Sequence, residues 1–511
     1  MRVDLRRLVR VTVLTTLTIV AAPNSLPAQQ ADPTFVTQAR TRLALADSAY
    51  EAGARTLAER RYRDVLQADP ENSRAVYQLG QLAHDDREAV RLFRRYTQLE
   101  PRDAWGYIAL AEALARTARM DEALRVYDHA ARLAPGERDV EIGRARMLAR
   151  AGRTRRAITV YETWLAAHPD DAVVRTRLRA LRTSAAPWVQ PAVRGTVDSD
   201  GNHIARAGLT AGALVGADIG LRAEATAARV SDGVLASSVH DALVGASWRP
   251  RHAVRIETRG GLTGRSTSAA VTSGPPGVCR PPSGPPVPCT PVMTAPAPRV
   301  NDVVPTGELR VEWRHPDVAT LAFRAGRTVV VASPLLVQNQ VVRDEIGGRA
   351  DITLAGPLRL RALGRTTRIS AVDDRNGRTL VGAGAVLAGA RGELSATVQR
   401  LRYDHPTTSG YFAPQAANIA EVGTYVERES DSGLRVALDL GVGAQQVTDW
   451  GAAPGSWSPA YRAWSELALP VATGRELRLE LEAYDSRIGE IAGTGHWRYL
   501  SVSLGLHWVL E

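Results

Sequence analysis

The chain of 511 residues contains no lysine, two cysteines, and four each of phenylalanine and methionine. Without lysine, the net charge of +10 rests on arginine alone, a bias that a coding preference produces and that says little about partners. Acidic and basic residues interleave in both halves, with no basic stripe and no nucleic-acid motif, so no nucleic-acid partner is expected. A CxxC spacing of the redox or zinc kind is absent. Long apolar runs are missing too, since nothing reaches the roughly 20 residues of a membrane-spanning helix. The nearest run, Val11 to Ala22, follows Arg2, Arg6, Arg7 and Arg10 and precedes small residues. That pattern predicts a signal peptide over residues 1–28, cleaved at Ala28. No cysteine stands near that site, so a lipoprotein anchor is not expected.

Signatures of catalysis are lacking as well. The sequence holds no HExxH, GxSxG, GxxxxGK[ST] or GxGxxG, and its ten histidines are scattered without partners. Asp198–Asn202 has the look of a calcium loop, but Leu209 stands where the closing acid is required, so a hairpin turn is the better reading. No catalytic residue, metal site or cofactor is expected. An enzyme whose site is assembled across strands is the least favoured class. Cys279 and Cys289 lie in a Pro- and Gly-rich loop from Ser273 to Pro298, and for an exported chain a disulfide between them is the default.

What is present begins with a repeat. Pro101, Pro135 and Pro169 stand 34 residues apart, and Pro70 precedes Pro101 by 31. Twelve residues before these prolines come Ala58, Ala89, Ala123 and Ala157; eight before come Tyr62, Phe93, Tyr127 and Tyr161. The spacing fits paired antiparallel helices. The alanine sits where the helices approach closest, the aromatic lies one turn further along the same face, and the proline ends the second helix. This register resembles the tetratricopeptide repeat. It predicts four repeats and a capping helix in a domain spanning 32–183, an α-solenoid that docks a partner, with a linker at 184–190.

From 191 to 511 the period changes to two. Leu309, Val311 and Trp313 alternate with Glu308, Arg310, Glu312 and Arg314, and Leu477, Leu479 and Leu481 alternate with Glu476, Arg478, Glu480 and Glu482. Such alternation marks strands with one apolar face. About 16 such segments predict an antiparallel transmembrane β-barrel, an α-solenoid plus membrane-β fold overall. The loops around Cys279, after Asp404 and from Thr448 to Ala460 are expected outside the cell, and the short junctions near Gly216, Pro250, Ala355, Ala390 and Ser430 in the periplasm. Trp248, Trp313, Tyr403, Tyr461 and Trp497 are candidates for aromatic girdles. The predicted inward face carries Arg222, Glu224, Arg255, Glu257, Glu308, Arg310, Glu312, Arg359, Arg361, Arg435, Asp439, Arg478 and Glu480. The last strand, from Leu500 to Trp508, resembles the insertion signal read by barrel-assembly machinery.

Gly410-Tyr411-Phe412-Ala413-Pro414-Gln415 resembles a segment in the C-terminal domain of the barrel-forming subunit of cellulose synthase, and the repeat-plus-barrel plan resembles bacterial exopolysaccharide exporters. The resemblance implies an outer-membrane pore for a polysaccharide, cellulose or a related polymer. It also implies periplasmic repeats that dock inner-membrane or periplasmic synthase components or the glycan, and a barrel embedded in outer-membrane lipid. Tyr411, Phe412, Pro414 and Gln415 are the candidate glycan-contact or pore segment. The alternative is a non-transporting scaffold whose barrel anchors a protein-binding repeat array.

Overall fold

The computed structural model describes residues 33–216, 219–268, 299–315, 318–389, 392–485 and 498–510, with the backbone of two short pairs, Val278–Cys279 and Val287–Pro288. The expected signal peptide and the Cys279–Cys289 pairing fall outside the described residues. No described helix is long and apolar enough to cross a membrane.

The chain divides into two compact units, Met1–Leu82 and Ala83–Glu511. The first contains α1 (Pro33–Glu51), α2 (Arg55–Ala68) and α3 (Ser73–Leu82). Ala58 and Tyr62 are fully buried on α2, and the Tyr62 hydroxyl donates to Asp47 Oδ1 at 2.7 Å. Burial beside this carboxylate pushes the Tyr62 phenol well above its ordinary pKa.

The second unit opens with α4 (Asp86–Leu99), α5 (Ala104–Arg116), α6 (Met120–Leu133), α7 (Arg138–Arg150), α8 (Thr154–Ala167) and α9 (Ala172–Ala185). Consecutive helices pack in pairs, α5 on α6 and α7 on α8. Ala89, Ala123 and Ala157 are at most 1% exposed, and Phe93, Tyr127 and Tyr161 at most 2%. The small side chain lets the helix axes close up, and the ring one turn on fills the space beside it. α9 closes this run of helices. Asp171 caps it by accepting the Val174 amide, and Arg138 reaches back to Asp171 at 2.9 Å.

Sixteen antiparallel strands follow and close into a barrel. They are β1 (Trp188–Asp198), β2 (His203–Val215), β3 (Ile219–Ser231), β4 (Ala236–Arg251), β5 (Val254–Ser268), β6 (Asn301–His315), β7 (Ala319–Val329) and β8 (Val342–Ala355). The second half comprises β9 (Leu358–Ser370), β10 (Arg375–Gly389), β11 (Gly392–Tyr403), β12 (Ala416–Glu429), β13 (Arg435–Thr448), β14 (Ser458–Ala472), β15 (Arg475–Asp485) and β16 (Arg498–Val509). Closure pairs β1 with β16, from Trp188 opposite Val509 to Asp198 opposite Tyr499, so the sheet has no free edge.

Because side chains alternate across a strand, one face of every strand looks out and the other in. The outward face is apolar and bare: Val244, Val303 and Val442 are each more than 60% exposed, and Leu360, Val381, Leu440 and Leu504 stand with them. A water-soluble surface does not sustain a contiguous apolar band of this extent. Trp248, Tyr461 and Trp508 are exposed on that face. Tyr403 is not part of the expected girdle. It points inward and is 7% exposed, because its position on β11 shares the face of buried Leu401. Trp497 lies outside the described residues.

Asp198–Asn202 forms the hairpin turn, with Asp198 Oδ1 accepting the amides of Asp200 and Asn202. The segment Asp373–Gly377, with its Asp-Asp-Arg-Asn-Gly turn composition, is a turn only in its first part, since β9 ends at Ser370. β10 resumes at Arg375, so Asn376 sits in the strand and spends its side chain elsewhere: it accepts the Asp404 and His405 amides and donates to the His405 carbonyl.

Candidate functional site

The barrel interior is charged and partly hollow. A cavity of about 1460 Å³ is lined by inward side chains of many strands, Arg206, Glu257, Glu312, Arg349, Gln399 and Tyr484 among them. Its charges are organised by the register, because inward residues on neighbouring strands stand opposite one another at ladder spacing. Glu308, on β6, is nearly buried and receives three guanidinium groups, Arg259 at 2.9 Å, Arg310 at 2.7 Å and Arg324. Glu345 on β8 faces Arg365 at 3.5 Å and Arg378 at 3.6 Å. Asp351 is bidentate to Arg361 and is also met by Arg349 at 3.4 Å. Glu393 stands 3.9 Å from Arg359 and 3.7 Å from Arg361.

The remaining wall differs. Arg462 on β14 lies between Glu421 at 3.0 Å and Asp439 at 2.6 Å. Arg435 faces Glu466 and Glu476, and Arg478 bonds Glu476 at 2.6 Å. Glu480 is held by Arg194 at 2.6 Å and by the Trp464 indole at 2.9 Å. The candidate lumen residues of the sequence therefore all engage in inward cross-strand or same-strand pairs. Arg222 pairs with Glu224, Arg255 with Glu257, and Glu312 with Arg314.

The end of the barrel with the longer connections is filled. After β7 the chain leaves the wall, and the Val330 amide donates to the Val341 carbonyl at 3.0 Å to close the base of the excursion. Within it lies the short helix α10, Pro334–Gln338. Ser333 caps it by accepting the Leu336 amide, and Pro334 at its first turn needs no partner for a missing N–H. Leu336 and Val337 are fully buried. Val337 clusters with Ala228 and Val239, which face inward from β3 and β4. Leu336 belongs to a second cluster with Ile369, Leu401, Tyr403, Ala417 and Val447 from β9, β11, β12 and β13. The excursion thus meets both sides of the wall and forms a plug.

Gly410–Gln415 packs onto this plug. Tyr411 is 5% exposed and joins the Leu336 cluster, with Phe412 and Ala413 against its edge. The Tyr411 hydroxyl donates to Asp374 Oδ2 at 2.9 Å, and Thr407 and Ser409 donate to the same oxygen. Burial pushes the Tyr411 phenol up to about 12. His405 Nε2 stands 3.7 Å from Asp374 Oδ1, and the carbonyls of Pro406 and Arg375 hold its imidazole above the ordinary histidine value. Asn339 donates to the Ser409 carbonyl at 2.9 Å, and the Trp450 indole donates to the Ala413 carbonyl at 2.7 Å. Gly410 has φ +93°, a conformation that strains any other residue, and a Cβ there would sit 2.8 Å from the Leu335 side chain and make it shift. Tyr411 and Pro414 are buried, and Phe412 and Gln415 half-buried. Their placement braces the plug.

Two features escaped the sequence reading. One is the plug itself. Ser333-Pro334, a helix-start pair in the midst of strands, was its only local signal. The other is a clasp at the end of the barrel with the short turns. Arg153, before α8, donates to the carbonyls of Arg249 at 2.8 Å and Pro250 at 2.9 Å. Asp121 on α6 accepts the His252 amide at 3.0 Å, and Arg155 donates to the Leu214 carbonyl at 2.5 Å. Gly152, at φ +76°, lets Arg249 pass: a Cβ would lie 2.6 Å from its guanidinium. Burial in this contact pushes the His252 imidazole below its usual value. Loop-to-carbonyl contacts of this kind leave no periodicity in a sequence.

No protein-family model matches the chain, and no curated protein matches it. Solved structures resemble it in parts. A bacterial polysaccharide outer membrane secretin is 13% identical, with a TM-score of 0.43, over 64% of this chain and 99% of that one. The MamA protein is 20% identical, with a TM-score of 0.27, over 29% of this chain and 82% of that one. A thermophilic TPR protein of Thermus thermophilus is 22% identical, with a TM-score of 0.24, over 29% and 82%. These likenesses are distant, and the functional reading of this chain rests on its own residues.

Proposed function

We propose that the barrel is an outer-membrane export pore for a secreted polysaccharide, cellulose or a related exopolysaccharide, and that the helical repeats dock synthase components or the emerging glycan on the periplasmic side. The observation that carries this reading is the hollow, hydrogen-bonding interior of about 1460 Å³ beneath a plug. Sugars need donors, acceptors and aromatic surface without one tight grip, and a conducting path needs many weak contacts rather than a single deep one. The Arg–carboxylate pairs and Tyr484 in this cavity supply both kinds of group. The bare apolar exterior supports a lipid environment. The clasp at Arg153 and Asp121 supports a repeat region held at the end of the barrel where a polymer enters. The protein acts in this reading without chemistry of its own. Deleting the gene should abolish secreted polymer while leaving the sugar-nucleotide pool intact, and unchanged secretion would overturn the reading.

The packed plug favours one other reading, a sealed barrel that anchors the repeats for protein partners. Reconstituted full-length protein separates the two. Ion conductance after the plug is destabilised supports a pore, and a seal that persists supports an anchor.

A further inference from the structure

We propose that the exported polymer is acidic, a polysaccharide bearing carboxylates that slide along one arginine-rich wall of the lumen. This inference rests on the export reading and moves the substrate away from neutral cellulose. Among the side chains lining the central cavity, ten are arginines and five are glutamates.

The excess is localised. On the wall from β5 to β11, Glu308 is shared by three guanidinium groups, Glu345 lies between two, and Asp351 and Glu393 serve Arg349, Arg359 and Arg361. These clusters hold eight arginines against four carboxylates. Three of the four acids sit deep, Glu308 at 4%, Glu345 at 8% and Asp351 at 6% side-chain exposure, and Glu393 is 38% exposed, whereas Arg259, Arg310, Arg324, Arg349 and Arg365 are 40–50% exposed. At the three deep acids a passing chain therefore meets guanidinium groups, with the carboxylates behind them.

Across the lumen the balance reverses. Arg462 is shared by Glu421 and Asp439, Arg435 faces Glu466 and Glu476, Arg478 also bonds Glu476, Glu480 is held by Arg194 and Trp464, and Glu482 by Tyr484, so six acids there meet four arginines. An anionic polymer would be drawn to the first wall and repelled from the second. Because each arginine is already partly engaged, no single contact would trap it. The planar guanidinium fork suits carboxylates in particular.

A second place in the molecule has the same chemistry. A groove of about 580 Å³ on α4 and the loop before α6 is lined by Arg87, Arg91, Arg94, Arg95 and Arg119. Arg87, Arg91 and Arg95 recur every four residues, about 6 Å apart along the helix, and Glu122 is shared by Arg94 and Arg119. A polymer with regularly spaced carboxylates would find a row of donors there too.

The test uses full-length protein in lipid nanodiscs and calorimetric titration with hexagalacturonate and with cellohexaose. The acidic oligomer should bind at least tenfold more tightly, and added salt should erase the difference. Arg365→Gln should weaken hexagalacturonate about tenfold, the scale of one charge-assisted hydrogen bond, while Arg475→Gln, which lies over the outward Trp508, should change it less than twofold. Arg324→Gln serves if Arg365→Gln loses the heat-modifiable gel migration of a folded barrel. Equal binding of the two sugars, absence of acidic-oligomer binding, or indifference to both arginine variants would overturn the proposal. The two readings fail separately. A deletion strain that stops secreting a neutral polymer keeps the export pore and sinks the acidic substrate, whereas one that secretes normally sinks the pore itself.

Discussion

Shortening one side chain at the centre of the plug should unseat it. Leu336 is fully buried among Ile369, Leu401, Tyr403, Tyr411 and Val447. Leu-to-Ala changes at such positions cost about 2–5 kcal/mol, from lost burial plus the cavity left behind. Leu336 is carried by an excursion from the wall, so the cost falls on the seated plug and not on the strand ladder that closes the barrel. At about 1.4 kcal/mol per tenfold, a loss of about 3 kcal/mol multiplies the unseated population by roughly two orders of magnitude. Full-length Leu336→Ala protein in planar bilayers should therefore show ion-conducting openings about a hundred times more often than the unaltered chain, with unchanged heat-modifiable migration on gels. A folded variant that stays sealed would refute the plug argument, as would an unaltered protein that already conducts freely.

Three further outcomes follow from other contacts. Arg153→Ala leaves the Arg249 and Pro250 carbonyls without their donor and should weaken the clasp by about 2–3 kcal/mol, read as faster hydrogen exchange at the β4–β5 turn and faster proteolysis between α7 and α8. Ala123, fully buried between paired helices, has no room for a larger group; Ala123→Leu should destabilise the helical region by about 1–3 kcal/mol, measured as a lower melting temperature of its far-ultraviolet signal. The Arg138 guanidinium holds the Asp171 carboxyl down at about 2, below the usual value of about 3.9. A depressed carboxyl contributes stability that is present above about pH 4 and is lost as the pH falls through about 2. Pepsin cleavage at the α8–α9 junction should rise across that window, and Asp171→Asn, which keeps a capping oxygen but does not titrate, should flatten the pH dependence.

Much of this architecture is written locally. The 34-residue register of Ala and aromatic positions reads directly as helix pairing, because both residues of each pair act through their immediate neighbours on one face. The strands read as strands because period two is a property of each segment alone. The same period sorts Glu308 and Arg310 from Leu309, and so names the inward face before any neighbour is known. Tyr403 shows the limit. Its strand-end position suggested a girdle, yet its parity turns it inward, where the plug gives it a partner. Gly410–Gln415 was visible as an unusual segment, but its contacts with Asp374, Leu335 and Trp450 join residues that are distant in the chain.

The sequence by itself determined the repeat spacing, the alternation and approximate number of the strands, and which charges face inward, since each follows from the periodicity of a single element. Only the tertiary structure decided that residues 330–341 fold into the lumen, that Arg153 and Asp121 grip the β4–β5 turn, and that arginines outnumber acids on one wall and not on the other. Those outcomes depend on which strands become neighbours when the sheet closes and on where loops land afterwards. They are long-range facts, which no periodicity within one segment encodes.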